Sequence, residues 1–240
     1  MKRRVKAWLF IAALSAGGVS AGPKPGDFYS QGPVASKKIA LTFDDGPGPN
    51  TEKFLDLLDR YQVKATFFVL GEQARIRPGI LKKVSERGHE VGSHTMTHMN
   101  YKKRYKYRLS QVGDKDKASE LAKEDLVKDM RQTREIIEKQ INRKIEILRM
   151  PYGIDKPWIK AAAKEAGFVL VNWTYGTDWD STPAEKQIPG YIKAIEPGAV
   201  ILLHDGWSKS QKSFEITEAV IKAAKEKGYA IVPVGELLGI

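Results

Sequence analysis

The residues best suited to chemistry in this chain are its histidines, of which there are only four in 240 residues. Two of them, His94 and His98, stand four residues apart in the stretch SHTMTH. On one helical turn this spacing directs both imidazoles toward a common point, as in helical zinc motifs. A single histidine is more often a core or surface residue, but this pair predicts a metal site.

Two adjacent aspartates follow an apolar run in the stretch ALTFDDGPGPN, residues 40–50. Asp44 and Asp45 come directly after a strand-like segment, and the Gly-Pro-Gly-Pro that follows them prevents a strand or helix from continuing. A turn-capping role explains one aspartate and not two. Neighbouring side chains at a strand end point in different directions, so we expect one carboxylate to bind the metal and the other to face the reacting water.

Two histidines and one carboxylate leave open positions on a bound metal ion. Such a site suits a hydrolytic zinc ion, although non-haem iron oxygenases use the same ligand types. The chain has no cysteine, which excludes thiolate ligands and disulfides. The alternation of α and β segments and the further acid-base residues described below favour hydrolysis.

The elements that must position these residues are short apolar runs that alternate with amphipathic stretches. The apolar runs predict strands at 39–43, 65–70, 90–93, 147–150, 168–172, 199–203 and 230–232. Helical spacing predicts helices at 51–61, 77–86, 120–140, 157–166, 183–195 and 214–227. This alternation indicates an α/β fold with a parallel sheet covered by helices, either a barrel or a doubly wound sheet.

In both of these folds the chemistry gathers at the carboxyl ends of the strands. The unusual residues all follow or end a predicted strand: 44–45, 94–98, 149–153, 178–180 and 204–205. We therefore expect them to meet at one end of the sheet. His89 precedes its strand, which places it at the opposite end and predicts a structural role for it.

The first 21 residues have the pattern of a signal peptide. A basic MKRRVK is followed by the apolar AWLFIAALSAGGV and by the small-residue site VSA. An uncleaved membrane anchor is the alternative, but the apolar run is short for a bilayer span and contains Ser15, Gly17 and Gly18. We expect an exported protein, either periplasmic, associated with the cell wall or secreted, with no stable membrane span after cleavage.

The chain is basic, with a formal net charge of +11. Removal of residues 1–21 takes away four basic residues and no acid, which lowers this charge to +7. Outside the cytoplasm a basic protein fits an anionic polymer such as a cell wall better than nucleic acid. We predict a Gly/Pro-rich linker at 22–36, one catalytic domain at 37–240 and a monomeric protein.

Five short motifs together resemble one known family. They are TFDDGP at 42–47, HTMTH at 94–98, RMPYG at 149–153, TDWD at 177–180 and ILLHD at 201–205, in the order that the family has them. The family is the NodB-homology polysaccharide deacetylases, also called carbohydrate esterase family 4. The resemblance implies a distorted (β/α) barrel with about seven parallel strands, and a metal-dependent hydrolase that removes acetyl groups from a glycan.

The resemblance also implies roles for individual residues. Asp44 would be the general base, and Asp45 would join His94 and His98 on a divalent metal ion, most often Zn²⁺. Arg149 would pair with Asp44, an interaction that we expect to lower the pKa of this carboxylate. His204 would be the general acid that protonates the leaving amine.

Further positions match the part of the family site that faces the substrate. The backbone N–H of Tyr152, which follows Pro151, would stabilise the oxyanion, and Leu202 and Trp179 would line a pocket for the acetyl methyl group. Three other aromatic residues could stack on sugar rings, with core packing as the alternative for each: Trp173, Tyr175 and Trp207.

The fourth motif departs from the family pattern, because Gly176 stands where an acid is usual. The acid that orients His204 is therefore Asp178 or Asp180. We favour Asp178, since it directly precedes the tryptophan of the motif.

The segment 100–117, NYKKRYKYRLSQVGDKDK, alternates basic and tyrosine residues and has no helical apolar period. It predicts a solvated loop on the rim of the catalytic face. We expect its basic and tyrosine residues to help bind a long anionic glycan; they are Tyr101, Lys102, Lys103, Arg104, Tyr105, Lys106, Tyr107 and Arg108.

These observations together predict an N-deacetylase that acts on N-acetylglucosamine units of a polysaccharide, with peptidoglycan as the first expected substrate. Chitooligosaccharides or an exopolysaccharide are alternative substrates. An acetyl xylan esterase and a catalytically silent glycan-binding protein are the alternative functions.

Overall fold

Parallel strands form the centre of the molecule in a computed structural model that describes residues 22–206 and 210–240. All strand pairs in this part of the chain are parallel. The eight strands described are β1 (Phe28–Tyr29), β2 (Lys38–Asp44), β3 (Thr66–Val69), β4 (Glu90–Ser93), β5 (Ile147–Leu148), β6 (Val169–Val171), β7 (Val200–His204) and β8 (Ala230–Val232).

Helices connect most of the strands. Those in the described ranges are α1 (Thr51–Arg60), α2 (Gly71–Ile76), α3 (Pro78–Glu86), α4 (Tyr101–Val112), α5 (Lys115–Ile141), α6 (Pro157–Ala166), α7 (Ala184–Lys193), α8 (Gln211–Glu226) and α9 (Val234–Leu238). A short 3₁₀ turn at Pro151–Gly153 follows β5.

The sheet closes on itself. Its strand order is β1-β6-β5-β4-β3-β2-β7, and β8 pairs with the first half of β2. Beyond β6, the Thr174 N–H donates to the Val200 carbonyl at 2.9 Å and the Leu202 N–H donates to the Tyr175 carbonyl at 2.8 Å. These bonds join the segment after β6 to β7, so the predicted distorted (β/α) barrel is confirmed.

The central strands are buried because helices cover one side of the barrel wall and packed side chains fill the other. All five residues of β7 are buried, and so are all residues of β2 after Lys38. This matches the near-continuous apolar runs by which the sequence predicted these strands. Phe43 packs between Phe67 and Phe54 of α1, with ring centroids 4.9 and 5.2 Å away.

The seven predicted strands are all present, and the eighth lies where we predicted a linker. In β1, Phe28 and Tyr29 pair with Leu170 and Val171 of β6, and the side chain of Gln31 donates to the Pro197 carbonyl at 3.1 Å. The middle of the segment 22–36 therefore pairs with the barrel sheet. A two-residue strand is too short to leave a periodic signal in the sequence.

The predicted signal peptide at 1–21 lies outside the described residues. Within the described ranges, no helix has both the length and the apolar character that a bilayer crossing requires.

The basic and tyrosine-rich segment is a helix, α4, and the predicted loop is wrong. The Asn100 side chain caps its start by accepting from the Lys102 and Lys103 backbone N–H groups, both at 3.1 Å. Gly113 ends it in the left-handed conformation, with φ of 69°. These cap residues were a sequence signal for a helix, but no aliphatic stripe accompanied them.

Tyrosine and arginine side chains of α4 contact acids on α5, which explains why the sequence of α4 shows no apolar period. The Tyr101 hydroxyl donates to Asp129 at 2.9 Å, and Arg104 and Arg108 bind Asp125 at 2.7 and 2.6 Å. These three residues hold the helix in place. Among the basic and tyrosine residues at 101–108, those with exposed side chains are Lys102, Lys103, Lys106 and Tyr107.

His89 lies at the opposite end of β4 from His94, where we predicted it. It is buried, its Nδ1 accepts from the Ala65 N–H at 3.2 Å, and its ring packs edge-on against Phe67 at 5.4 Å. Burial lowers the pKa of His89 to about 4, and the positive charge of Lys64 adds to this effect. His89 is therefore neutral in the folded protein at neutral pH.

The neutral His89 makes the fold sensitive to acid. Because the pKa is about 4 in the folded chain and 6.5 ordinarily, the unfolded chain binds the proton first as the pH falls. Stability is therefore lost from about pH 6.5 down to about pH 4, by roughly 3 kcal/mol in total. His89→Asn, which keeps an acceptor for the Ala65 N–H, should remove this loss. Urea unfolding at pH 7 and pH 4.5, with chelator present, measures it; an equal loss in the variant would assign the effect to other groups.

Candidate active site

The carboxyl ends of the strands bring the chemistry-bearing residues to one place. Asp44 ends β2 and lies in register with His204 at the end of β7. His94 directly follows β4, and Arg149 directly follows β5. The predicted convergence of these groups at one end of the barrel is therefore observed.

Three of them offer ligand atoms to one point. His94 Nε2 and His98 Nε2 each lie 3.6 Å from Asp45 Oδ1, and the three ligand atoms all lie within 4.8 Å of one another. Two ligands of a tetrahedral zinc ion at bond lengths near 2.1 Å stand roughly 3.4 Å apart. The spacing and the nitrogen and oxygen donors both fit a divalent ion of this kind.

The two histidines do not share a helical turn, and that part of the prediction is wrong. Residues 94–100 form a loop in which Thr95 and His98 have φ of 68° and 57°. This left-handed backbone, rather than helical periodicity, turns the His98 ring back toward His94, with ring centroids 5.1 Å apart. A spacing of four residues therefore identified the right pair through the wrong local structure.

Hydrogen bonding sets the orientation of His94. Its Nδ1 lies 2.8 Å from the Arg149 carbonyl, which can only accept, so Nδ1 carries the proton and Nε2 presents a lone pair. Burial lowers the pKa of His94 to about 3, although the charge of Asp45 opposes this. The imidazole is thus neutral, as a metal ligand must be.

Asp44 and Arg149 form a buried ion pair beside these ligands. An Arg149 guanidinium nitrogen donates to Asp44 Oδ1 at 2.8 Å and to the Thr42 hydroxyl at 2.8 Å. The second carboxylate oxygen, Oδ2, lies 3.6 Å from His94 Nε2. Asp44 therefore holds one oxygen on arginine and turns the other toward the ligand cluster.

The net pKa of Asp44 differs from our expectation. Burial raises the pKa of this carboxyl, and Arg149 lowers it by a smaller amount, so the balance lies above the ordinary value. The arginine acts in the direction we predicted, but desolvation is the larger effect.

His204 has its own carboxylate partner. Its Nδ1 lies 2.8 Å from Asp178 Oδ1, and its backbone N–H donates to Asp178 Oδ2 at 2.8 Å. Asp180 instead accepts from the Thr182 N–H at 2.6 Å and from the Gln187 amide at 2.9 Å. Of the two aspartates that the sequence left open, the structure places Asp178 against the imidazole.

The surroundings of His204 favour its charged form. Burial lowers the pKa of this histidine, but the hydrogen bond to Asp178 and the negative charges of Asp178, Asp44 and Asp45 outweigh burial and raise the pKa above its ordinary value. With Nδ1 held by Asp178, the proton on Nε2 is the one available for transfer.

These groups share one cleft of about 400 Å³. Its walls are largely apolar and contain Leu202, which is buried, and Trp179 and Tyr152, which are 47% and 58% exposed. The Trp179 ring stands edge-on to His204 at 5.7 Å, and Tyr152 contacts the His98 ring at 4.7 Å.

The remaining predicted residues have different surroundings. Pro151 is buried in the turn after β5, and Trp173 lines the cleft. Tyr175 packs edge-on against Tyr191 at 4.9 Å, as the core alternative predicted. Trp207 lies outside the described residues.

Sequence reasoning missed the residues that support the site from behind. The Ser213 hydroxyl donates to Asp178 Oδ2 at 2.6 Å. Asp205 is fully buried and accepts from the Thr51 hydroxyl, which in turn accepts from the Gly48 N–H at 2.7 Å. Asp205 stood in a quoted motif and could have been singled out, whereas Ser213 and Thr51 carry no sequence signal of their own.

Burial and position make Asp205 a support for the turn that carries Asp45. Burial raises the pKa of Asp205 to about 7, against the lowering effect of its hydrogen bond from Thr51. Gly46 packs so closely on this carboxylate that an added Cβ would stand 2.5 Å from it. The turn after β2 therefore requires glycine at this position.

Known proteins similar in sequence to this chain match most of its length. The family model described as "Polysaccharide deacetylase" matches residues 31–171. A peptidoglycan-N-acetylglucosamine deacetylase of Bacillus cereus is 32% identical over 210 residues, 86% of this chain and 90% of that protein. A chitooligosaccharide deacetylase of Sinorhizobium fredii is 33% identical over 175 residues, 72% of this chain and 74% of that protein.

A solved structure has a similar fold. It is a crystal structure of a peptidoglycan N-acetylglucosamine deacetylase, with a TM-score of 0.75 and 31% sequence identity. The match covers 90% of this chain and 94% of that one.

Loss of Arg149 should destabilise the fold by about 3–5 kcal/mol, because Arg149→Met leaves Asp44 buried without its partner. Urea unfolding with chelator present measures the change, and the exposed Arg75→Met is the matched control, with an expected effect within about 0.5 kcal/mol. The double variant Asp44→Asn/Arg149→Met should lose less than Arg149→Met, since no uncompensated charge remains. Equal costs for Arg149→Met and Arg75→Met would contradict this view of the pair.

Proposed function

Because this chain belongs to the polysaccharide deacetylase family, we propose that it hydrolyses the N-acetyl groups of N-acetylglucosamine units in a polysaccharide, most readily peptidoglycan. The observation that carries the proposal is the meeting of three groups in one cleft. They are the Asp44–Arg149 pair, the Asp45–His94–His98 cluster and the Asp178–His204 pair. Amide hydrolysis needs a base, an oxyanion-stabilising centre and an acid, and each group suits one of these tasks.

Asp45, His94 and His98 would hold a divalent metal ion, and Zn²⁺ is our first choice because two imidazoles and one carboxylate suit it. When bound, such an ion supplies Lewis-acid activation of water and of the acetyl carbonyl. The neutral His94 and its fixed Nδ1–H donor bond preorganise the site for this ligand role.

Asp44 acts as the general base. Its Oδ1 is engaged by Arg149, so Oδ2 is the oxygen that takes the proton from the attacking water. The water oxygen adds to the acetyl carbon, and the backbone N–H of Tyr152 donates to the oxygen that becomes negative. A pKa raised by burial makes Asp44 a better proton acceptor than an ordinary carboxylate.

His204 completes the reaction as the general acid. It gives the Nε2 proton to the amide nitrogen as the carbon–nitrogen bond breaks, and acetate and a glucosamine amine leave. Asp178 holds the imidazole and favours its protonated form before the transfer. Leu202 and Trp179 pack around the acetyl methyl group, which limits the acyl group to a small one.

Peptidoglycan is the proposed substrate for two reasons. Relatives named for this activity match most of the chain, and the basic charge of the protein suits an anionic wall polymer. Chitooligosaccharides are the second choice, after the Sinorhizobium fredii relative. We also propose that residues 1–21 direct export, and that the remaining chain acts as a monomer at the wall, in the periplasm or outside the cell.

Acetate release tests the activity and separates its alternatives. Wild-type protein should release acetate from peptidoglycan, and a chelator should stop the release until Zn²⁺ is restored. Asp44→Asn should lower the rate by about a hundredfold or more, because the base is lost. Release from acetylated xylan alone would indicate an esterase, and no release from any glycan with metal present would indicate a binding protein.

The pH dependence tests the roles of Asp178 and His204. Because Asp178 raises the pKa of His204, Asp178→Asn should move the alkaline limb of the kcat/KM profile to lower pH and should lower its maximum. Asp180→Asn is the matched control and should leave the limb in place. A profile that moves with Asp180→Asn instead would reverse the assignment.

A further inference from the structure

A second groove lies beside the active-site cleft, and the reaction does not use it. We call it the lysine groove; its lining residues are Lys102, Tyr105, Lys106, Ser119, Lys156 and Trp158. One wall comes from the first two turns of α4, and the other from the first turn of α6 and the residue before it.

The charge of the lysine groove is not neutralised by the protein. Lys102, Lys106 and Lys156 are exposed, and none of them forms an ion pair in the part of the chain that the structure describes. Two acids that directly adjoin lining residues of the groove, Asp155 before Lys156 and Glu120 after Ser119, have other partners. Asp155 binds Lys160 at 3.1 Å, and Glu120 binds Lys123 at 2.7 Å.

The backbone adds to this positive potential. Helices α4 and α6 both begin at the groove, and neither has an acidic residue in its first turn. A helix N-terminus carries partial positive charge, so a lysine there is unfavourable for the isolated helix and favourable for a bound anion. Lys102 lies in the first turn of α4, and Lys156 is the N-cap residue of α6.

An aromatic surface accompanies the lysines. The Tyr105 and Trp158 rings stack at 6.5 Å with an interplanar angle of 21°, and both side chains are half-buried. Flat apolar faces next to isolated positive charges suit an anionic sugar chain, because a pyranose ring presents C–H groups to the aromatic faces and its substituents present anions to the lysines.

The groove lies a short distance along the chain from the active site. His98 and Tyr152, whose rings are in contact, lie on the catalytic cleft. Lys102 and Lys156 follow them by four residues each, so neither lysine can be more than about 14 Å along the chain from the cleft. A glycan chain of several sugars is therefore long enough to reach from the cleft to the groove.

We propose that the lysine groove binds the carboxylate-bearing part of the glycan whose acetylated sugar lies in the cleft. The proposal rests on the proposed function, since it names the same substrate chain. Carboxylates are assigned because they are the anionic groups on the peptidoglycan chain itself. Three separate ammonium groups, without an arginine fork, suit carboxylates at variable positions along a polymer.

Sedimentation with insoluble glycans tests the groove without requiring catalysis. The glycans are peptidoglycan stripped of phosphodiester polymers, the same material with amidated carboxylates, and chitin. The variant is Lys102→Gln/Lys106→Gln/Lys156→Gln. The control removes three other exposed lysines outside the segment 100–117, which form no ion pair in the described ranges: Lys128→Gln/Lys139→Gln/Lys186→Gln. Melting temperatures establish that both remain folded.

The groove variant should bind stripped peptidoglycan about tenfold more weakly than wild type, and the control within about twofold. Amidation should weaken wild-type binding to the same extent, and chitin binding should be equal in all three proteins. Equal losses in variant and control, or undiminished binding to amidated peptidoglycan, would overturn the proposal. So would a difference that appears only when phosphodiester polymers are retained.

Acetate release from the same peptidoglycan separates this proposal from the proposed function. If wild type binds as expected but releases no acetate, the groove proposal is supported and the proposed activity is contradicted. If acetate is released and the groove variant binds and reacts like the control, the activity stands and the groove proposal is wrong.

Discussion

The buried ion pair between Asp44 and Arg149 is the interaction on which the arrangement of the active site depends. Taking two charges out of water costs several kcal/mol per ion, so the fold must surround them with partners. The guanidinium donates to Asp44 and Thr42 of β2 and to carbonyls at the end of β6, and its face packs on a β3 phenylalanine. Its own carbonyl fixes His94 after β4. Arg149, which directly follows β5, thereby aligns the carboxyl ends of β2, β4 and β6.

Turns with unfavourable backbone conformations position the site residues that the strands do not carry. Asp45, His98 and Tyr152 have positive φ values of 71°, 57° and 62°, which are unfavourable for residues with a side chain by about 1 kcal/mol or more each. Each residue sits on the catalytic cleft, and each turn is held by buried neighbours such as Asp205 behind Asp45. The barrel thus supports a set of backbone conformations that no isolated peptide would keep, and those conformations aim the ligand atoms at one point.

Much of the fold and most of the site followed from local patterns. The seven strands could be predicted because parallel strands that are buried on both faces have nearly continuous apolar sequences. The rule that chemistry gathers at the carboxyl ends of parallel strands placed Asp44, His94 and His204 at one end of the barrel. Helix α4 was not predictable in this way, because it is held on α5 by tyrosine and arginine side chains that bind acids there. The raised pKa of Asp44 could not be predicted either, since it depends on how deeply the carboxylate is buried.

The sequence by itself determined the alternation of strands and helices, the end of the barrel that carries chemistry, and the residue types that can act there. These follow from periodicity and from the fixed polarity of parallel strands, which are local properties of the chain. Only the tertiary structure decided which oxygen and which nitrogen face one another. It placed Asp178 rather than Asp180 on His204, shaped the loop between His94 and His98, and left the three lysines of the lysine groove without an ion pair among residues 22–206 and 210–240. Such pairings join residues that are distant in the chain, so they are settled by packing, desolvation and hydrogen bonding in the folded barrel.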